Sequence, residues 1–257
     1  MNRFITYMFL LVIVAIPIGC STKGEQLGAK KELVISAASS LTDALIELKH
    51  EYEYESDDVS ITFNFGSSGK LATQIEQGAP VDIFLSASMV DMERLKDKAL
   101  VIESTVVDFA ENSLVLIVNK NVQNPITSFN QLTEEGIHHL SIGEPNTVPA
   151  GKYTKEALEH MQLWTSLQNK LVMGSDVRQV LTHVEMGNVD YGIVYATDAW
   201  FSEKVTVVAE ANPSWHSRIA YPGAVVSNSK HQANAQDFLH FVAGEKGKEI
   251  LRKYGFK

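Results

Sequence analysis

The fold is constrained most by a pattern found twice early in the sequence, in which an apolar strand-like run ends in small hydroxyl residues and continues directly as an amphipathic helix. The first copy, residues 32–48, reads ELVISAASSLTDALIEL, and the second, residues 61–87, reads ITFNFGSSGKLATQIEQGAPVDIFLSA. Alternation of strands and helices predicts βαβ units, whose strands pair in parallel and are covered by helices. We therefore expect an α/β fold built on a parallel sheet.

The same alternation continues to the end of the chain. Apolar and β-branched runs predict strands at residues 33–37, 59–65, 81–85, 113–118, 140–142, 190–195 and 205–208. Residues 218–226 are expected to be extended, and residues 128–132 to form a short helix. Small or hydroxyl residues collect where strands give way to helices, at residues 39–40, 66–69, 149–151 and 175–177.

These four junctions predict where a ligand binds. Ligands of open α/β sheets bind beyond the carboxyl ends of the strands, so we expect the junctions to converge on one cleft. A helix N-terminus has unpaired N–H groups and a partial positive charge, and it is therefore suited to an anion. Ser40 and Ser68 could donate their hydroxyls to such an anion, or they could cap their own helices.

The N-terminus has the features of an export signal. Residues 1–19 combine Arg3 with an apolar core too short to span a membrane, which is typical of a signal peptide. Cys20, the only cysteine, directly follows Gly19 as in a bacterial lipobox, although Pro17 stands where such motifs usually have leucine. We expect lipidation at Cys20, with a plain secreted form as the alternative, and a polar tether at residues 20–30.

The charge balance limits the partners. The formal net charge is −9 at pH 7, which argues against a nucleic-acid partner. An anion site in such a chain must depend on local dipoles. Lys70, Lys152 and Arg178 follow the junctions closely, but we expect them to lie on solvated helix surfaces.

Several segments, taken in order, resemble the molybdate-binding proteins, which are the extracytoplasmic solute receptors of ABC importers. The matching segments are AASSLTDA (37–44), FGSSGKLATQIEQGAPVDIFLSA (65–87), NSLVLIVNK (112–120), VPAGKYTKEAL (148–158), DVRQVL (176–181), GIVYATDA (192–199) and RKYGF (252–256). The resemblance covers residues 32–257. It implies a two-lobed periplasmic-binding-protein type II fold with the ligand cleft between the lobes.

The resemblance also implies a set of ligand contacts. Position by position, the oxyanion would be held by the hydroxyls of Ser40 and Ser68, the backbone N–H groups of Ala150 and Val177, and the phenol of Tyr195. Ser39 and Ser67 are secondary candidates. The ligand would be molybdate or tungstate, with no cofactor, no side chain bound directly to the metal, and no catalysis. This chain departs from the family pattern at Ser39, where alanine is frequent, and at Gly69, where a further serine is common.

The resemblance leads to a division of the chain and a set of partners. We expect residues 31–111 with 222–257 to form lobe one and residues 112–221 to form lobe two, with crossings near Asn112 and near residues 221–222. The exported protein, periplasmic or on the cell surface, would be a monomer that docks on the membrane permease of an ABC importer. It would touch the membrane itself only through an anchor at Cys20.

Three other functions remain open at this point. The protein could be a receptor for another tetrahedral oxyanion such as sulfate, a sensor domain that has lost its ligand, or a serine hydrolase using Ser40 or Ser68. The hydrolase has little support, because the chain lacks a G-x-S-x-G elbow and a close carboxylate pair. Burst release from an activated ester would indicate the hydrolase, and failure to bind any oxyanion would indicate the sensor.

Overall fold

The computed structural model describes residues 30–133 and 137–257. The predicted signal peptide at residues 1–19, Cys20 and the rest of the tether up to residue 29 lie outside the described residues. Within the described ranges, no helix combines the length and apolar character needed to cross a membrane.

Two five-stranded sheets form the framework of two lobes. The strands are β1 Lys31–Ala38, β2 Val59–Gly66, β3 Ile83–Leu85, β4 Val107–Glu111, β5 Leu114–Asn119, β6 Leu140–Gly143, β7 Leu171–Gly174, β8 Tyr191–Tyr195, β9 Val205–Glu210 and β10 Ala220–Val225. The first sheet has the order β2-β1-β3-β10-β4, and the second has the order β7-β6-β8-β5-β9. We call the part around the first sheet lobe one and the part around the second sheet lobe two. The residue boundaries proposed from the sequence stay a prediction.

Helices cover both sheets. The α-helices are α1 Thr42–Glu55, α2 Ser68–Glu76, α3 Met89–Asp97, α4 Pro149–His160, α5 Trp164–Leu167, α6 Val177–Glu185, α7 Ala196–Trp200, α8 Gln232–Ala243 and α9 Glu245–Lys253. Short 3-10 helices lie at Ser39–Leu41, Glu103–Thr105, Phe129–Gln131, Gln168–Lys170 and Pro213–Trp215. The helix expected at residues 128–132 is thus a single 3-10 turn.

The expected parallel pairing is present, because β1 pairs in parallel with β2 and β3, and β6 pairs in parallel with β7 and β8. The sheets as a whole are mixed. Strand β10 pairs antiparallel with β3 and β4, and β5 pairs antiparallel with β8 and β9. The reason is the way the chain changes lobe. Strands β1 and β3 run toward the cleft, whereas β10 and β5 each enter their sheet from the other lobe and therefore run away from it.

The connections between the sheets pass through Asn112 and through residues 211–219. They lie side by side, because the backbone N–H of Asn112 donates to the carbonyl of Ile219 at 3.2 Å. Tyr221 and Pro222, near which a crossing was expected, lie inside β10. The adjacent connections join the lobes at one edge of the cleft, which is the arrangement needed for hinge closure.

Apolar packing determines where the helix N-termini lie. Helix α2 buries Leu71 and Ile75 in a cluster with Phe84, Met92 and Leu95, and this packing fixes its position on lobe one. Helix α6 buries Val180 and Val184 in the core of lobe two in the same way. Because these helices follow β2 and β7 directly, their first residues are held at the cleft.

Candidate ligand-binding site

A small cavity, with a volume of about 10 Å³ open to a water-sized sphere, lies where the two lobes meet. Its lining consists of Ala38, Ser39, Ser40, Gly66, Ser67, Ser68, Ala87, Val148, Pro149, Ala150, Val177 and Tyr195. All seven residues singled out in the sequence are in this lining, so the structure brings them together. Pockets for organic ligands usually occupy about 300–1,000 Å³, so this cavity is far too small for such a molecule, and a small inorganic ion is the kind of ligand that remains.

Helix N-termini supply much of the lining. Ser68 opens α2, Ala150 lies in the first turn of α4 behind Pro149, and Val177 opens α6. Proline at the first helical position is favourable, because its missing N–H would have had no partner in the helix. The N–H groups of a first turn have no acceptor within the helix and carry its positive dipole end. The cavity therefore has backbone donors on both lobes.

The capping alternative for Ser40 and Ser68 is wrong. Ser40 lies within the 3-10 helix that precedes α1, and Ser68 is the first residue of α2, whose N-cap is Ser67. Neither the N-cap of this 3-10 helix nor that of α2 makes a side-chain capping bond. The Ser68 hydroxyl instead accepts a hydrogen bond from the backbone N–H of Ala87 at 3.0 Å, and the Ser40 hydroxyl pairs with the phenol of Tyr221 at 2.9 Å.

Two hydroxyls of the lining are buried without a hydrogen-bond partner among the described residues. They belong to Ser67 and Tyr195, which are only 3% and 1% exposed. Burying an unpaired polar group costs about 1–3 kcal/mol, so such groups in a folded protein require an explanation. A ligand that accepts hydrogen bonds in the cavity would provide it.

The lining is electrically neutral. In the part of the chain that the structure describes, no charged or histidine side chain lines the cavity. Burial raises the pKa of Tyr195 well above its usual value, so this phenol keeps its proton. Groups of three or more His, Cys, Asp or Glu suited to a metal ion are absent from residues 30–133 and 137–257. The site can donate hydrogen bonds, and it offers neither a metal-ligand set nor a histidine base beside its serines.

The basic residues near the junctions differ in their exposure and in the groups that they contact. Lys70 is exposed, as expected, and its ammonium group donates to the Ser175 carbonyl at 3.0 Å. Lys152 lies in a neighbouring groove. Arg178 is not a solvated surface residue, because its half-buried guanidinium pairs with Asp43 of lobe one and lies 3.1 Å from Asp198 of lobe two. Burial raises the pKa of Asp198 to about 7, although the charge of Arg178 lowers it.

The lobes are closed over the cavity. The backbone N–H of Gly69 in lobe one donates to the Thr147 carbonyl of lobe two at 3.1 Å, close to the cavity wall. A Cβ at residue 69 would lie 2.6 Å from the same carbonyl oxygen. This close approach gives a steric reason for glycine at a position where the resembled family often has serine.

Sequence reasoning missed the residues that support the site. Tyr221, Asn112 and Ala87 contact the predicted serines or each other, yet Tyr221 and Ser40 are 181 positions apart. Local patterns carry no signal for a contact of that kind. Asn112 had one indirect signal, since it lies where the chain was expected to change lobe.

Comparison with known proteins indicates the family to which a chain with this site belongs. The family model described as bacterial extracellular solute-binding protein matches residues 33–257. A Bacillus subtilis protein whose name describes an ABC transporter substrate-binding lipoprotein, YvgL, is 40% identical over 255 residues, covering 98% of this chain and 96% of its own. The molybdate-binding protein ModA of Haemophilus influenzae is 37% identical over 238 residues, covering 91% of this chain and 92% of its own.

A solved structure supports the same assignment. It is the substrate-binding domain assigned to a molybdenum ABC transporter of Clostridium difficile, with a TM-score of 0.69 and 38% identity. The match covers 88% of this chain and 98% of that one. The fold is thus the two-lobed periplasmic-binding-protein type, and the chain belongs to the family of bacterial extracellular solute-binding proteins.

Proposed function

We propose that this protein is the receptor of an ABC importer, that it binds molybdate or tungstate in the cavity between its lobes, and that it delivers the ion to a membrane permease. The observation that carries this proposal is the pair of unpartnered buried hydroxyls, of Ser67 and Tyr195, in a neutral cavity that the first residues of three helices help to line. The names of the relatives in Haemophilus influenzae and Clostridium difficile support molybdenum as the element transported.

The proposed contacts are all hydrogen-bond donors. The hydroxyls of Ser40, Ser68 and Tyr195 and the N–H groups of Ala150 and Val177 would donate to the oxyanion, with Ser39 and Ser67 as further donors. A hydrogen bond to a charged group contributes about 1.5–3 kcal/mol, so a few such bonds account for tight binding without a cation. The ion is cargo: no protein atom would bind the metal, and neither a cofactor nor catalysis is part of the proposal.

The proposal includes anchoring at the outer face of the membrane through a lipid on Cys20, and a monomeric receptor. The word lipoprotein in the name of the Bacillus subtilis relative supports the anchor. Metabolic labelling with a fatty acid tests it. We expect label on the wild type and none on Cys20→Ala, and equal labelling of both would contradict the assignment.

Calorimetry of the mature protein with molybdate, tungstate and sulfate tests the ligand. A ligand that binds only the folded protein adds about 4 kcal/mol of stability when present at a thousand times its Kd, so molybdate and tungstate should also raise the Tm by several degrees. Sulfate is smaller and cannot reach all donors of a preformed cage at once, so we expect much weaker binding. Equal binding of sulfate would reject the molybdate assignment, and no binding of any oxyanion would reject the receptor function proposed for this cavity.

A further inference from the structure

A chain of buried hydrogen bonds leads from the crossing between the lobes to the cavity. The side-chain amide of Asn112 donates from Nδ2 to the phenol oxygen of Tyr221 at 3.1 Å, and this oxygen lies 2.9 Å from Oγ of Ser40. Asn112, Tyr221 and Ser40 are 9%, 0% and 3% exposed. Water therefore competes little for these groups. Each of their polar hydrogens needs an acceptor either in the protein or in the cavity.

The orientation of the Asn112 side-chain amide determines which atoms donate in this series of hydrogen bonds. Its Oδ1 accepts the backbone N–H of Ser113 at 2.9 Å, so this atom must be the carbonyl oxygen. The two protons of Nδ2 then face Thr197 Oγ1 at 2.8 Å and the phenol of Tyr221. The reversed amide would set its NH₂ group against the N–H of Ser113, with a donor facing a donor. Asn112 is thus a donor toward Tyr221.

The donor role of Asn112 also determines which group donates between Tyr221 and Ser40. A phenol has one proton to donate, and of the two partners that the phenol of Tyr221 has among the described residues, the Asn112 NH₂ group can only donate, so Ser40 is the acceptor for that proton. Burial raises the pKa of Tyr221 well above its usual value, which keeps the phenol protonated. Ser40 therefore accepts from Tyr221, and its own proton is free for an acceptor in the cavity that it lines.

The Ser68 hydroxyl, like that of Ser40, accepts a hydrogen bond from the protein, but from a different partner. It accepts the backbone N–H of Ala87 at 3.0 Å, which also leaves its proton for the cavity. Both serines are thus supplied with a protein donor, and both offer a donor in turn. A ligand whose oxygens are all acceptors fits this arrangement.

We propose that Asn112 and Tyr221 are positioning residues that orient the Ser40 hydroxyl as a hydrogen-bond donor to the bound oxyanion. The proposal rests on the proposed function, because it assigns a direction to one of the proposed contacts. Under this proposal, the orientation of Ser40 depends on Asn112, which lies on the connection between β4 of lobe one and β5 of lobe two.

A double-mutant cycle measured by calorimetry with molybdate tests the proposal. Tyr221→Phe removes the donor to Ser40, and a neutral hydrogen bond of about 0.5–1.5 kcal/mol predicts a two- to tenfold rise in Kd. In the Ser40→Ala background the same substitution should leave Kd unchanged within about twofold, because the hydroxyl that it orients is gone. A merely structural role for Tyr221 would raise Kd by the same factor in both backgrounds, and that result would overturn the proposal.

Thr197→Val is the matched control. It removes the other buried partner of the Asn112 amide and leaves the Tyr221–Ser40 pair in place, so we expect the wild-type Kd. Asn112→Ala, run in the same cycle, keeps the test decisive if Tyr221→Phe does not fold, and its effect should likewise vanish in Ser40→Ala. An effect of Thr197→Val as large as that of Tyr221→Phe or Asn112→Ala would overturn the proposal.

Titration of the wild type with molybdate distinguishes failure of the proposed function from failure of the roles proposed for Asn112 and Tyr221. Molybdate binding by the wild type together with an additive cycle would reject only the roles of Asn112 and Tyr221. Absence of molybdate binding by the wild type would reject the proposed function and, with it, the positioning roles of Asn112 and Tyr221.

Discussion

Arg178 of α6 and Asp43 of α1 form an ion pair that joins lobe two to lobe one beside the cavity. Arg178 directly follows Val177, whose N–H is a proposed ligand contact, and the same guanidinium lies 3.1 Å from the buried Asp198. Because Asp43 and Arg178 belong to different lobes, opening of the cleft would separate them. The ion pair is therefore placed to hold the closed form around a ligand.

Asp43→Asn tests this pair and leaves Arg178 beside Asp198. Both partners are partly exposed, and pairs of this kind contribute about 0.2–1 kcal/mol, so the molybdate dissociation rate should rise by up to about fivefold. Stopped-flow fluorescence at low salt measures this rate. Lys246→Gln breaks ion pairs within lobe one, to Glu51 and Glu55, and serves as the control. An unchanged rate in Asp43→Asn would show that the pair does not hold the lobes together.

Gly69→Ala should impair closure. The new Cβ would lie 2.6 Å from the carbonyl oxygen of Thr147, which belongs to the other lobe. Overpacking costs about 1–3 kcal/mol, which predicts roughly five- to a hundredfold weaker molybdate binding. Calorimetry measures the affinity, and the Tm of the ligand-free variant checks that it still folds. Wild-type affinity in Gly69→Ala would mean that the cleft closes differently.

Tyr195→Phe should separate stability from binding. Removing an unpartnered buried hydroxyl relieves about 1–3 kcal/mol, so the ligand-free Tm should rise by several degrees. Loss of a donor to a charged ligand should weaken molybdate binding about ten- to a hundredfold. Tyr191→Phe is the matched control, because the Tyr191 hydroxyl accepts the N–H of Ile126 at 3.0 Å, and its loss should lower the Tm and spare binding. Unaltered binding in Tyr195→Phe would remove this phenol from the proposed site.

Asp198 should make stability depend on pH. Burial raises its folded pKa to about 7 from an ordinary 3.8, against the opposing charge of Arg178, with Asp43 and Asp176 adding to the rise. Between these two values the folded protein keeps a proton that the unfolded chain releases, so the contribution of this group to stability falls as pH rises toward 7. Urea unfolding at pH 5 and pH 8 measures the effect. Asp198→Asn should gain stability relative to the wild type at the higher pH, and the opposite trend would mean that Arg178 keeps Asp198 ionised.

Much of the site was predictable because its chemistry is local. A strand that ends in small hydroxyl residues and continues as a helix places Ser40 and Ser68 at a helix start whatever the rest of the chain does. The junctions at residues 149–151 and 175–177 already included Ala150 and Val177. The resemblance to molybdate-binding proteins assigned their N–H groups to the ligand and added Tyr195, and the structure places all five residues in one lining. Their roles as ligand contacts stay a prediction.

Elements with weaker local signals were missed. Strand β7 lies at a sheet edge and is mostly half-buried or exposed, so it shows neither alternation nor a long apolar run. The antiparallel pairing of β5 and β10 was also missed, because strand direction depends on how the chain crosses between lobes rather than on the residues within a strand.

The sequence by itself therefore determined the α/β class, the strand–helix junctions and the residue types at each junction, since these follow from periodicity and helix-end chemistry over a few residues. Only the tertiary structure decided that Tyr221 supports Ser40, that the Tyr195 hydroxyl has no partner among the described residues, and that Arg178 joins the lobes. Those facts depend on contacts between residues more than one hundred positions apart and on burial, which exists only after the lobes have packed.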